Sequence, residues 1–201
     1  AQQIQGITTN GITGLSPEQI AAFNALQISV LTTANVTLLD TNQIAAFSGS
    51  QIAALNTSQI KVFSTDQIAA LTADQLIAIE TGDINGLTTS HIAILNSFQI
   101  SSLTTAQTQV LSTQQIKAIT TDAITGLNAE QITSLSAAQV AVISAADVAE
   151  MSATQFASLS STQVQALTSS QISSINFSDF DVVQVASLKS IQIASLTTAQ
   201  I

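Results

Sequence analysis

An all-α solenoid of very short helices, one for each eight-residue repeat and stacked around an apolar axis, is the fold that this sequence predicts. Three observations lead to it: an apolar residue returns every eight positions, a second follows it three positions later, and each octad opens on a residue that starts helices. The first series runs Ile4, Ile12, Ile20, Ile28, Val36, Ile44, Ile52, Ile60, Ile68, Leu76, Ile84, Ile92 and Ile100. Thr108 interrupts it, and it resumes at Ile116 and holds through Ile172. The second series includes Leu15, Phe23, Leu31, Leu39, Phe47 and Leu55, and continues to Ile175. The ideal octad reads Thr-Thr-Ala-Gln-Ile-Ala-Ala-Leu.

The period excludes one long helix, because eight residues overshoot two helical turns by about 80° and the apolar pair would wind around the rod. It also lacks the alternation of a half-buried strand. An apolar pair three apart does fit one face of a short helix, and the surrounding residues say where each helix begins. Directly after the Leu or its equivalent stands Ser, Thr, Asn or Asp in 23 of 25 readable octads, with Glu80 and Lys189 the departures. These are the residues whose side-chain oxygen accepts an orphan amide at a helix start. Three residues later comes Gln in 19 of 26 octads, which completes a capping box. The Leu before the cap and the Ile four after it occupy the positions of a hydrophobic staple. Pro17, the sole proline, falls on the first helical position, where its missing amide costs nothing. Glu18, Asp66, Asp74, Asp83, Asp122, Glu130, Asp147 and Asp179 all lie in first turns, where the helix dipole favours an anion.

Each octad is therefore expected to be a helix of about two turns. Helices this short are marginal in water, and one cap contributes only about 1 kcal/mol, so each unit must bury its Ile and Leu against siblings. Small residues before the Leu (Gly14, Ala22, Ala46, Ala54, Gly86, Gly126) suit close approach. The competing fold is a β-solenoid, which also accepts Thr, Ile, Val and Gln; the scarcity of Gly, the many Ala and the capping pattern favour helices. Three or four helices per coil are equally compatible with the residues. No linker divides the chain, so residues 1–201 are expected to form a single array. Its phase breaks near 176–185, where the octad re-enters at Gln184-Val185-Ala186-Ser187-Leu188, three residues early. The break reads as a local kink rather than a functional insertion.

Composition limits function. The 201 residues include 3 Lys and Arg against 12 Asp and Glu, a formal net charge of −9, and only 7% of residues are charged. With no Cys and one His, zinc fingers, disulfide scaffolds, iron–sulfur sites and thiol nucleophiles are excluded. Three isolated lysines, Lys61, Lys117 and Lys189, cannot neutralise a phosphate backbone, so nucleic acid is not an expected partner. Mean hydropathy is +0.43, yet apolar runs reach only four residues, as at 52–55 and 140–143, so no membrane-spanning segment is expected. The opening Ala1-Gln2-Gln3-Ile4 has neither the basic start nor the apolar stretch of a signal peptide.

Candidate chemistry is sparse. His91 occupies the Gln place of its octad and reads as a substitute capping residue rather than a base. Asp179 and Asp181 offer two carboxylates near the phase break, a weak pattern for a cation, and no calcium-binding loop of the usual kinds is present. Phe23, Phe47, Phe63 and Phe156 take octad apolar places and read as core. No catalytic, cofactor-binding or metal-ligating residue is expected, and the chain is not expected to be an enzyme.

Leu15-Ser16-Pro17-Glu18-Gln19-Ile20 is similar to the first-helix phrase of TAL-effector DNA-binding repeats. Those units are several times longer, with a base-reading loop and basic neighbours, so the likeness reflects shared capping. A wider resemblance is carried by Ser64-Thr65-Asp66-Gln67-Ile68-Ala69-Ala70-Leu71 and by Gln192-Ile193-Ala194-Ser195-Leu196-Thr197-Thr198-Ala199-Gln200-Ile201. They resemble octapeptide tracts of the form Leu-Thr-Thr-Ala-Gln-Ile-x-Ala-Leu in very large secreted or surface adhesin-like proteins of Gram-negative bacteria. That resemblance covers the whole chain and implies an extracellular or cell-surface adhesin, stalk or filament. Ala1 and Ile201 fall inside octads, and a surface of hydroxyls and amides repels itself weakly, so head-to-tail or lateral self-association is the expected partnership. A structural filament or stalk is the expected function. The alternative is an adhesin region that binds carbohydrate, a surface or ice through outward Thr and Ser, such as the pairs at 32–33, 104–105 and 197–198.

Overall fold

The computed structural model describes residues 8–200; the repeat positions Gln3, Ile4 and Ile201 lie outside them. Among the described residues there are twenty-two α-helices and two 3-10 turns, Thr81–Gly86 and Phe177–Asp179, and no strand, which excludes the β-solenoid. The α-helices hold four to six residues each, somewhat under two turns, because the remaining residues of an octad make the corner to the next helix. At one such corner Leu39 (φ −63°, ψ 134°) and Asp40 (φ −79°, ψ 171°) are both extended, and the next helix starts at Thr41.

The helix starts fall where the caps place them. Ser64 Oγ accepts from Gln67 N–H while Gln67 Oε1 accepts from Ser64 N–H, a complete capping box, and the same reciprocal pair recurs at Asp40, Ser48, Thr72, Asn96 and Ser136 among others. The two departures in sequence are departures in structure. Glu80 makes no side-chain cap bond, and a 3-10 turn follows it; Lys189 has no acceptor to offer, so only Gln192 Oε1 and the Lys189 amide pair there. In the Pro17 helix, the Ser16 side chain and the backbone N–H of Glu18 hold the Glu18 carboxyl below its ordinary value.

Contacts gather the chain into two compact units, Ala1–Leu95 and Asn96–Ile201. In the first unit Thr33–Leu38 packs on Thr9–Thr13, Thr41–Ala45 on Pro17–Ala21, Gly49–Ala53 on Ala25–Ser29, and the pattern continues to Thr89–Ala93 on Thr65–Ala69. In this unit each helix from Thr33–Leu38 onward thus lies on the helix three octads before it, and a coil is three octads, or 24 residues. The second unit repeats the arrangement, from Thr121–Ile124 on Ser97–Ser102 to Ser169–Ser174 on Ala145–Ala149.

The interior of each unit is built from the two apolar series. Ile20, Ile28, Ile44, Ile60 and Ile68 are fully buried, as are Ile132, Val164 and Ile172 in the second unit, with Leu31, Leu55, Leu127 and Leu167 beside them. Thr108 holds its place in the core at 0% exposure because its hydroxyl donates to Thr104 O at 3.0 Å, a backbone bond that removes the cost of burying it. Phe47, Phe63 and Phe156 are core, as expected, and Phe23 is half-buried; Phe98, outside the apolar series, is exposed.

Close approach is required where glycine precedes the Leu. A Cβ on Gly126 would stand 2.1 Å from Ser97 O, and one on Gly86 2.7 Å from Thr57 O. A Cβ on Gly82, by contrast, would meet nothing within 4 Å. Gly126→Ala is therefore expected to destabilise the second unit by about 1–3 kcal/mol or more, since backbone must move, whereas Gly82→Ala is neutral or stabilising by about 0.5 kcal/mol. Urea unfolding of the two variants measures the difference.

Candidate functional site

Among the described residues, most of the buried polar side chains are glutamines, and they form a ladder. The Gln of the capping box does more than cap. Gln67, 3% exposed, accepts the Ser64 amide on Oε1 at 2.7 Å, and its Nε2 donates to Val36 O at 3.0 Å and Leu39 O at 2.6 Å. Those carbonyls end the helix four octads earlier, at the corner directly beneath. Gln43 does the same to Ile12 O and Leu15 O, Gln51 to Ile20 O and Phe23 O, Gln59 to Ile28 O and Leu31 O, and Gln75 to Ile44 O and Phe47 O. Each of these rungs reaches back 31 and 28 residues. In the second unit Gln131, Gln139, Gln155, Gln163 and Gln171 repeat the rung with the same two steps.

A primary amide is the group this place demands. Its oxygen meets an N–H and its two hydrogens meet two carbonyls, so one side chain caps the start of its own helix and the end of another in the next coil. Among the described residues, no buried side-chain nitrogen or oxygen lacks a partner. A carboxylate could take the cap amide but would face the carbonyls with no hydrogen to give. The octads show this preference: Glu occurs at the neighbouring position, as Glu18 and Glu130, and never at the Gln position.

Where another residue replaces Gln, the rung changes. His91 is 4% exposed; its Nδ1 accepts the Thr88 amide at 3.1 Å, so Nε2 carries the hydrogen and donates to Phe63 O at 2.9 Å. The substitute capping role is thus observed, with one coil-to-coil bond where Gln makes two. Aspartate is too short for the carbonyls and turns instead to a hydroxyl. Asp147, 8% exposed, accepts from Thr121 Oγ1 and Ser144 Oγ, each at 2.6 Å, and Asp83 accepts from Thr57 Oγ1.

The phase break is a shortened unit. Asn176 opens a 3-10 turn over Phe177–Asp179, and Phe180 follows as its apolar residue, 9% exposed, with ring centroids 5.8 Å from Phe156 and 5.5 Å from Phe177. Asp181 then caps the next helix, accepting from Gln184 N–H at 2.7 Å. After the break the rungs of Gln184, Gln192 and Gln200 reach back 28 and 25 residues instead, so three missing residues leave the ladder intact. Beside the turn lies an open cleft of about 600 Å³, lined in part by Ser173, Phe177, Ser178, Thr197 and Gln200. Its hydroxyls are engaged internally: Ser173 donates to Ser169 O, Ser178 to Asn176 Oδ1 and Thr197 to Gln200 Oε1.

Asp179 and Asp181 belong to no cluster of potential ligands: among the described residues no three His, Asp or Glu side chains gather, and no helix is long and apolar enough to cross a membrane. Most of the buried polar side chains join one helix to another.

Separating the two jobs of Gln is direct. Gln67→Glu keeps the cap bond but sets a carboxylate against Val36 O and Leu39 O, and it is expected to cost about 2–4 kcal/mol at neutral pH. Burial raises the carboxyl above its unfolded value, so part of that loss returns as the pH falls and the group protonates. Gln19 is exposed, and its Nε2 meets no carbonyl among the described residues, so Gln19→Glu is expected to change stability by less than about 0.5 kcal/mol. Chemical denaturation at neutral and mildly acidic pH compares the pair.

The model of one repeat family, the ALTTAQ repeat, matches the chain three times, over residues 49–78, 76–113 and 140–175. No curated protein matches it. The matched stretches include the rungs of Gln51, Gln59, Gln67, Gln75, Gln155, Gln163 and Gln171 and together span half of the sequence, and the chain belongs to the ALTTAQ repeat family.

Proposed function

We propose that this chain is a structural, non-catalytic element of an extracellular or cell-surface filament or stalk, associating with copies of itself head to tail or side to side. One observation carries the reading. Most of the interior polar groups are used in joining one coil to the next, by a glutamine rung that recurs with the same two steps in both units. Such a ladder extends by adding octads and needs no new kind of contact. Low charge supports the same reading, since 3 basic and 12 acidic residues spread over 201 positions leave a wall of hydroxyls, amides and methyl groups with little self-repulsion. The likeness of the octads to tracts in large surface proteins supports the location.

A second reading, an adhesin region that binds carbohydrate or another surface, has its own observation. Thr41, Thr65 and Thr89 are the first residues of three helices stacked one on another, all three are exposed, and their hydroxyls make no internal hydrogen bond among the described residues. They line up as an outward column in the first unit.

Electron microscopy and sedimentation across a concentration series test the first reading: fibres or growing assemblies are expected, and monodisperse short particles at every concentration would overturn it. Glycan-array binding lost in Thr41→Val/Thr65→Val/Thr89→Val, with sedimentation unchanged, would establish the second instead.

A further inference from the structure

We propose that His91 is an acid-sensitive rung, the place at which the first unit loosens in mildly acidic surroundings. The proposal does not depend on the filament reading; it concerns a device inside the fold.

The geometry fixes one protonation state. Backbone groups hold both ring nitrogens: Nδ1 accepts from Thr88 N–H at 3.1 Å, and Nε2–H donates to Phe63 O at 2.9 Å. Only the neutral ring with its hydrogen on Nε2 satisfies both. A second proton would have to go to Nδ1, where it would face the Thr88 amide hydrogen and break the cap of Thr89–Ala93. It would also place a cation in the first turn of that helix, at the positive end of its dipole, in a site 4% exposed.

Within the first unit, the helix packed against it brings no buried carboxylate to the ring. On Thr65–Ala69, the helix packed against Thr89–Ala93, the sole charged residue is Asp66, and it is exposed. The helix Thr57–Lys61 ends on Lys61, also exposed, and Glu80 and Asp83 belong to the preceding octad, where Asp83 is bonded to Thr57. Burial pushes the His91 ring below its ordinary value of 6.5, and the Phe63 carbonyl opposes this only in part. The opened chain binds a proton that the closed rung refuses, so stability is full above the free-imidazole range and falls as pH drops below about 6.5. The loss stops where the closed form itself titrates.

The rung is also weaker than its neighbours at any pH. Gln67, the same position one coil earlier, donates to two carbonyls, whereas the imidazole has one hydrogen and leaves Ile60 O without a donor from this side chain.

The test is amide hydrogen exchange in the whole chain, with two cap amides compared. Thr88 N–H bonds to His91, and Ser64 N–H bonds to Gln67 in the same unit, so Ser64 is the internal reference. Below the free-imidazole range, Thr88 protection relative to Ser64 is expected to fall by up to about tenfold per pH unit. His91→Gln restores the residue found at this place in most octads, and it should abolish the difference. The proposal is overturned if Thr88 and Ser64 keep a constant ratio from pH 7.5 to 5, if the His91 ring titrates at or above its ordinary value by NMR, or if His91→Gln retains the acid response.

Discussion

A helix of five residues has too few internal hydrogen bonds to hold itself, and most of its backbone polar groups are end groups. How those ends are closed is the constraint on which this fold depends. The start of each helix is closed locally by its own Ser, Thr, Asn or Asp. The end is closed from a distance, by the amide of a Gln four octads later, as Gln67 closes the corner at Val36 and Leu39. Burial of Ile and Leu supplies most of the favourable free energy, but burial is non-directional. The amide bonds are what set one coil over another in a single register, since a shift by one residue would leave two carbonyls and an amide unpaired in the interior.

That constraint also accounts for the irregular positions. Thr108 enters the apolar core by returning its hydroxyl to Thr104 O, and Asp147 enters the rung position by borrowing hydroxyls from Thr121 and Ser144. Each exception is a different way of leaving no polar atom unpaired. Glu80 is the contrasting case: an acid at the cap together with Asp83 at the rung provides no box, and the segment tightens to a 3-10 turn.

Much of this was legible in the residues. The helix starts could be read from Ser16, Asp40, Ser48 and Thr72 because capping is a local transaction between residues three apart, and the core could be read from the Ile and Leu series because burial follows periodicity. Three features could not. The second bond of Gln was hidden because the capping box already accounts for a Gln at that position; the signal that would have revealed it is the exclusion of Glu, an equally good capping residue. The number of helices in a coil depends on the corner angle at pairs such as Leu39 and Asp40, which no side chain announces. The phase break did read as a kink, but its cause, an octad reduced to Asn176–Phe180 with Phe180 standing in for the missing apolar contacts, emerges only with the rings of Phe156 and Phe177 beside it.

The shortened unit has a consequence for how such a chain changes over generations. Because Gln184, Gln192 and Gln200 find their carbonyls after a loss of three residues, the architecture counts caps and rungs rather than amino acids. Slippage during copying of a repetitive gene adds or removes whole motifs and occasional codons, and a scaffold with this tolerance absorbs both. Repeat number is then free to drift, and length becomes a trait that selection can tune without redesigning any interior contact.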